Sequence, residues 1–385
     1  MGIYLDCSAG CRPYKEVIDA VSDVLTNHWG NASSNTSFGD DAMQIINRVT
    51  QRVTDDINCD PSEVIWTSGG CESNSLALLG FLKKNPEYTL YTTNLEHASI
   101  NAFVTQLQNS HSRMVGHVTI PVGEIGVVNP ESLRHLLIER QKYSNHKPFV
   151  SIAMASSEVG AIQNIKEIAK IVHRYNGILH CDAVQLYPWQ KIDVQDLDID
   201  FMSVSGQKLH CVKGIGFLYK KDSIEISPLI LGSQQAGARA GTYPTHLIAA
   251  FGTALELTRK NNATNKVAEL RNRMLDKLLT INGTHLNGPS IYNNRLFNNI
   301  SLTIDGVRGS ELMTMADLMG VIIGVGSACQ SHNPTPSPAL LAIGLTPEQA
   351  LNTIRITLDE FNTAEEIDEA ADIIIRLVER IRSNE

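Results

Sequence analysis

Phe201-Met202-Ser203-Val204-Ser205-Gly206-Gln207-Lys208 is an apolar run that closes on small polar residues and a lysine, with Lys213-Gly214-Ile215-Gly216 just beyond it. The run reads as a buried strand and Ser205-Gly206 as the turn that ends it. A lysine one turn past a buried strand can reach a molecule bound at the strand end. In such a place it can form a Schiff base with an aldehyde cofactor. An ordinary loop lysine fits the same pattern.

Outward from this stretch, strand-like and helix-like segments alternate from about residue 12 to 260. Strands are expected over 63–66, 89–92, 149–153, 177–181, 201–204 and 216–219, with helices between them, as over 73–84 and 165–174. Such alternation predicts an α/β fold, a mainly parallel sheet with helices on both faces. Ligand sites in such sheets gather at the carboxyl ends of the strands.

Three further motifs fall at those ends. Gly177-Ile178-Leu179-His180-Cys181-Asp182-Ala183-Val184-Gln185 is a strand that ends in an acid. Asp182 can cap a helix, or it can pair with a pyridinium nitrogen and keep it protonated. With Lys208 on the next strand, the cofactor reading is preferred. Thr67-Ser68-Gly69-Gly70-Cys71-Glu72-Ser73-Asn74 leaves a strand and opens a helix. Its glycines let backbone approach a phosphate, which free N–H groups at the helix start stabilise; Gly-Gly turns are also common without any ligand. His97, after the next strand, can stack on a flat ring or be a satisfied polar residue.

Beyond residue 260 the character changes. A helix-like stretch runs over 253–279, a loop over 282–288, and strands over 299–304 and 320–323. A Pro-rich segment, 333–338, follows Cys329 and reads as a mobile surface loop. The tail, 363–382, reads as an amphipathic helix capped by Thr363 ahead of Glu365 and Glu366. The expected partition is a large domain over 12–261 and a smaller α+β domain from 1–11 with 262–385.

The chain has 385 residues, enough for two domains, with 43% hydrophobic and 19% charged residues, as in ordinary globular proteins. A net charge of −9 argues against wrapping nucleic acid over a broad basic surface, so direct nucleic-acid binding is not expected. The N-terminus has no secretory pattern, Asp6 stands where a myristoylation motif wants Ser or Thr, and no apolar run reaches the roughly 20 residues of a membrane span. The seven cysteines, Cys7, Cys11, Cys59, Cys71, Cys181, Cys211 and Cys329, are odd in number and lack a CxxC pair. They fit free thiols in a reducing cytoplasm, without a metal site.

Taken together, these motifs resemble the cysteine desulfurases, fold-type I pyridoxal-phosphate enzymes of the NifS and IscS kind. The resemblance runs in order over nearly the whole chain. It includes Tyr4-Leu5-Asp6, Gly30-Asn31-Ala32-Ser33-Ser34, the glycine turn, His97, Glu158-Val159-Gly160, Asp182 with Gln185, and Ser205 with Lys208. It ends with Arg239-Ala240-Gly241-Thr242, Gly326-Ser327-Ala328-Cys329 and Asn352-Thr353-Ile354-Arg355.

The resemblance implies a seven-stranded, mainly parallel sheet in the large domain. It implies pyridoxal 5'-phosphate as cofactor, with Lys208 as the Schiff-base lysine and Asp182 as partner of the ring nitrogen. Gln185 and Ser157 would meet the ring oxygen, His97 would stack on the ring and move protons, and Gly70, Cys71, Ser205 and Gln207 would lie at the phosphate. Thr242 would reach that phosphate from a second subunit, making a homodimer. Arg355, assisted by Asn31, would hold the carboxylate of L-cysteine. Cys329 would take the sulfur as a persulfide for an acceptor protein, within a signature that resembles the long-loop group.

The chain departs from the family pattern at several places. Ser157 stands for the usual Asn, Gln207 for His, Cys71 for Thr and Thr36 for His, and 232–237 lacks an acid and an arginine. These departures suggest a specialised branch rather than the general housekeeping enzyme; candidate destinations of the sulfur are iron–sulfur assembly, tRNA thiolation and DNA phosphorothioation, and the drifted motifs suit the last. Rival readings are a selenocysteine lyase or another class-V aminotransferase, or a scaffold protein that kept the fold.

Overall fold

The computed structural model describes residues 2–109, 116–326 and 335–383. The strands are β1 (Ile3–Tyr4), β2 (Val64–Thr67), β3 (Tyr88–Thr92), β4 (His117–Thr119), β5 (Lys147–Ala153), β6 (Ile178–Asp182), β7 (Phe201–Ser205) and β8 (Gly216–Lys220), then β9 (Thr284–Leu286), β10 (Asn299–Ile304), β11 (Val321–Ile322), β12 (Gly324–Val325) and β13 (Thr353–Thr357). All six strands expected before residue 260 are present, displaced by at most two residues at either end.

β2 to β8 make one seven-stranded sheet in the order β2-β8-β7-β6-β5-β3-β4. Only β8 runs against its neighbours. The carboxyl ends of β2, β6 and β7 therefore open on one edge, which the glycine turn, Asp182 and Lys208 share. β5, β6 and β7 are buried almost throughout, as strands covered on both faces must be. On one face Phe81, Phe149, Phe201 and Tyr88 contact ring to ring. On the other Trp66, Phe217, Phe251 and Tyr187 do the same.

Helices cover these faces. α1 (Lys15–Asn27) and α2 (Ser37–Ile57) precede the sheet, and α3 (Gly70–Lys84) follows β2. α2 starts where Thr36 accepts from the Gly39 N–H at 3.2 Å. It buries Ala42, Ile45, Ile46, Val49, Val53 and Ile57, the spacing of one helix face. It ends at Asn58, whose φ of 59° breaks the helix.

A second sheet, β12-β13-β10-β9, and the pair β1-β11 bring the first residues against the last part of the chain. Their apolar cluster, including Leu5, Ile300, Leu302, Ile354 and Ile356, is buried by the helices Thr264–Leu278 and Ala364–Ser383. The expected C-terminal helix is present, with Thr363 and Glu366 capping each other reciprocally at 3.2 Å.

Three expectations in this half are corrected. The helix expected over 253–279 is two helices, Thr245–Asn261 and Thr264–Leu278. Asn262 sits between them at φ 43°, a left-handed geometry that Asn tolerates better than most residues. The loop expected over 282–288 contains β9, antiparallel to β10; three residues are too few for an alternation to show. Within the Pro-rich segment, Ser337 is buried and caps the helix Pro338–Ala342, so this end is not a free surface loop.

Candidate active site

The common edge of β2, β6 and β7 is bounded by a cavity of about 370 Å³. Gly70, Cys71, His97, Ser157, Asp182, Gln185, Ser205, Gln207, Lys208 and Arg355 all line it. Two expected residues do not: Asn31 is exposed and Thr242 is exposed, each outside the cavity of its own chain. Cys329 lies outside the described residues.

Lys208 ends a short 3-10 turn after β7 and is buried. Its Nζ donates to the Ser8 carbonyl at 2.6 Å, and Gln185 Nε2 donates to that same oxygen at 3.2 Å. Burial holds the Lys208 ammonium below the usual lysine range, opposed by Cys11 and assisted by the Arg355 charge. A lysine so placed loses its proton more readily, as a nucleophile or base needs.

Asp182 closes β6, which pairs in parallel with β7. Its carboxylate accepts from Asn74 Nδ2 at 2.8 Å and from the Val184 N–H at 3.0 Å. Asp182 thus both caps a local turn and presents a buried charge to the cavity. Asn74 projects from the first turns of α3, so that helix serves the site at both its backbone and its side chains.

The glycine turn depends on close approach of three strands' ends. Gly216 pairs with Thr67 on one side and Ser205 on the other. A Cβ on Gly216 would lie 2.4 Å from the Val204 carbonyl oxygen and 2.8 Å from Gly69 Cα, closer than carbon can approach. Gly69 has φ 145°, open to glycine but hardly to other residues. The start of α3 thereby presents unbonded N–H groups beside Ser205. Glu72 secures the turn, accepting from the Ser68 N–H at 2.7 Å and from Arg239 Nε at 2.8 Å.

Arg355, on β13, reaches the cavity from the opposite sheet. Its Nη2 donates to Asp6 Oδ1 at 2.8 Å, while its Nε is buried without a partner among the described residues. His97 is exposed at the rim; its Nδ1 accepts from the Ser99 N–H at 3.1 Å, which leaves the proton of the neutral ring on Nε2. Glu158, half-buried beside Ser337, is pushed up to about 7 by loss of hydration, against the pull of Ser337 and Arg355.

Six buried side-chain polar atoms lack a partner among the described residues, and three of them, Asn74 Oδ1, Glu96 Oε2 and Arg355 Nε, belong to residues that line this one cavity. Unsatisfied groups cost free energy unless a ligand completes them. A flat, anionic molecule with an aldehyde fits this donor set: a lysine for the aldehyde, an acid for a ring nitrogen, and a helix start for a phosphate.

Asp6, Ser8, Asn74, Glu96 and Glu158 are site residues to which sequence reasoning gave no role. Ser8 acts through its backbone and carries no side-chain signal. Glu96 and Glu158 stand beside the named His97 and Ser157, and Asn74 lies one helical turn after Gly70. Burial raises Glu96 to about 8, with Asp182 adding to the rise and Thr93 opposing it. Folded Glu96 therefore holds its proton more tightly than the unfolded chain does. Its contribution is neutral below the ordinary value of 4.5 and turns destabilising as pH rises through about 8. Denaturation midpoints of wild type and Glu96→Gln should diverge over that window. Wild type is expected to lose stability relative to the variant by no more than about 5 kcal/mol.

The class-V aminotransferase family matches residues 3–370 of the chain. "Cysteine desulfurase IscS" of Clostridium botulinum (strain Kyoto / Type A2) is 33% identical over 386 aligned positions, covering 99% of this chain and 95% of its own. A solved "NifS-like protein" superposes with a TM-score of 0.89 at 27% identity, over 99% of this chain and all of its own. A structure of "SspA in complex with cysteine" does so with a TM-score of 0.79 at 26% identity, over 94% of this chain and all of its own. Sheet order, a lysine and an acid on adjacent strands, and similarity over almost every residue lead to one assignment: the chain belongs to the class-V aminotransferase family, among its cysteine desulfurases.

Proposed function

We propose that the chain is a pyridoxal-phosphate-dependent cysteine desulfurase that converts L-cysteine to L-alanine and stores the sulfur as a persulfide on Cys329 for an acceptor protein. The observation that carries this reading is the convergence of Lys208, Asp182 and Arg355 on one cavity. When bound, pyridoxal 5'-phosphate supplies an electron sink for the charge left at the substrate Cα. Lys208 would hold the cofactor at its aldehyde, and its Nζ would take the substrate's Cα proton. Asp182 would keep a proton on the ring nitrogen and His97, at the rim, would help move protons. Gln185 and Ser157 would hold the ring oxygen, and Gly70, Cys71, Ser205 and Gln207 would hold the phosphate.

Arg355 binds the substrate carboxylate through Nε and its remaining N–H groups, with Asp6 fixing the guanidinium plane. The Cys329 sulfur attacks the substrate sulfur as a thiolate, forming the S–S bond as the Cα side chain loses its C–S bond.

A homodimer is part of the proposal. Thr242 is exposed and lies outside its own chain's cavity, which suits delivery to a second copy. Trp29 and Phe38 stack on each other at 5.1 Å while 67% and 54% exposed, next to Asn31, an apolar pair that a partner would cover. The division into a domain over 12–261 and another from 1–11 with 262–385 is proposed on the two separate sheets. Among the described residues no helix is long and apolar enough to cross a membrane.

Sulfide and alanine release from L-cysteine with added reductant tests the reading. Wild type is expected to release equal amounts of both, and Cys329→Ser neither. Full activity in Cys329→Ser would point to a lyase that needs no thiol. No product from wild type, and no cysteine-induced change in the visible cofactor band, would leave a scaffold protein.

A further inference from the structure

Cys7 and Cys11 bracket the turn on which Lys208 rests. The Cys7 thiol is buried and donates to Asp359 Oδ2 at 3.1 Å. Cys11 is partly exposed, and its Sγ lies 3.5 Å from the Cys7 carbonyl oxygen and 3.7 Å from the Lys208 carbonyl oxygen. The neighbouring Cys11, burial and the Asp359 carboxylate together hold the Cys7 thiol well above the usual thiol range. Between the two stands Ser8, whose carbonyl accepts from both Lys208 Nζ and Gln185 Nε2.

We propose that Cys7 and Cys11 form a reversible disulfide by exchange with a small disulfide, cystine above all, and that closing it moves the Ser8 carbonyl away from Lys208. The consequence for catalysis rests on the desulfurase reading, whose substrate is the reduced half of cystine; the bond itself does not.

The exchange has two steps. Cys11, within reach of solvent, attacks one sulfur of cystine, breaking its S–S bond and releasing one cysteine. The Cys7 sulfur then attacks the Cys11 sulfur of the mixed disulfide and expels the second cysteine. Its proton passes by way of the Asp359 carboxylate, which already accepts the S–H, to the departing cysteine. One disulfide is lost and one gained, the two protein thiols are oxidised, and their protons leave with the two cysteines. Excess cysteine reverses the sequence.

The geometry favours a labile bond over a structural one. A disulfide has strict demands on sulfur torsion and Cα separation, and here it must also give up the thiol contacts to Asp359 and to the Lys208 carbonyl. The ring it closes is short, so little chain entropy stabilises it. Strained or exposed disulfides are the readily reduced, regulatory ones. A displacement of about 1 Å in a positioning group can cost about a hundredfold in rate.

Holoenzyme is to be incubated with cystine in the absence of air, alkylated and analysed by mass, intact and as the peptide spanning both cysteines. The expected product is lighter by two hydrogens, with Cys7 and Cys11 both protected from alkylation. Alanine formation in the first turnover, followed without added reductant before substrate cysteine reopens the bond, is expected to fall about tenfold or more and to recover after dithiothreitol, while Cys11→Ser stays active and forms no such bond. Cys7 and Cys11 that remain open to alkylation, with cysteine added only at other thiols, would overturn the proposal. Should Cys11→Ser misfold, the wild-type peptide map decides alone. Failure of the desulfurase reading shows separately, as absent sulfide before any cystine is added.

Discussion

Lys208→Ala is expected to lower the rate of sulfide release by at least about a thousandfold and to abolish the visible band of the lysine-bound cofactor, with the far-ultraviolet dichroism unchanged. Lys208 is the only lysine among the described residues lining the cavity, so no neighbour can take over either of its tasks. Proton transfer by a positioned side chain contributes about 10²–10⁴-fold, and loss of the covalent anchor adds to that. The structural cost is small by comparison. Removing the ammonium frees the Ser8 carbonyl at a cost of about 1–3 kcal/mol, while Gln185 still donates to the same oxygen. Retention of a tenth of wild-type activity would move the base to another group.

Arg355→Ala is expected to raise the KM for L-cysteine by about 10²–10³ while leaving the cofactor band in place. Truncating one partner of a hydrogen-bonded charge pair costs up to about 2–5 kcal/mol when the pair is buried; this pair is partly buried, and the truncation also leaves the Asp6 carboxylate without its guanidinium. Arg355→Lys should recover only part of the loss, because an ammonium offers a point charge where the carboxylate needs a planar fork. Asp6→Asn tests the positioning role separately. It keeps the guanidinium but loosens its plane, so KM should rise about tenfold with kcat nearly intact. An equal fall in kcat and kcat/KM for Arg355→Ala, with KM unchanged, would place the arginine at the reacting atoms instead.

The large sheet was legible because strands buried on both faces must be apolar along their length. β5, β6 and β7 therefore stand out from the helices around them. The edge strand β4 was missed: three residues carry no period, and one face of it needs no apolar side chain. The break at Asn262 was missed for the opposite reason. Helical spacing continues on both sides of it, and a single left-handed residue leaves no trace in a periodicity.

Lys208 and Asp182 were legible because each follows directly on a strand of its own, where chemistry in such sheets gathers. Arg355 has no local signature on β13 and entered only through the resemblance to desulfurases. Ser8, which holds Lys208, could not be found at all, since any residue supplies a carbonyl.

The sequence by itself determined the buried strands of the large sheet and placed a lysine, an acid and a glycine turn at strand ends, because those properties depend on neighbours a few residues away. The tertiary structure alone decided that Asp6 meets Arg355 across 349 positions and that Ser8 meets Lys208 across 200. Those meetings follow from strand order and from burial of two sheets' apolar faces, and such non-local pairings are chosen by the packing of the whole chain.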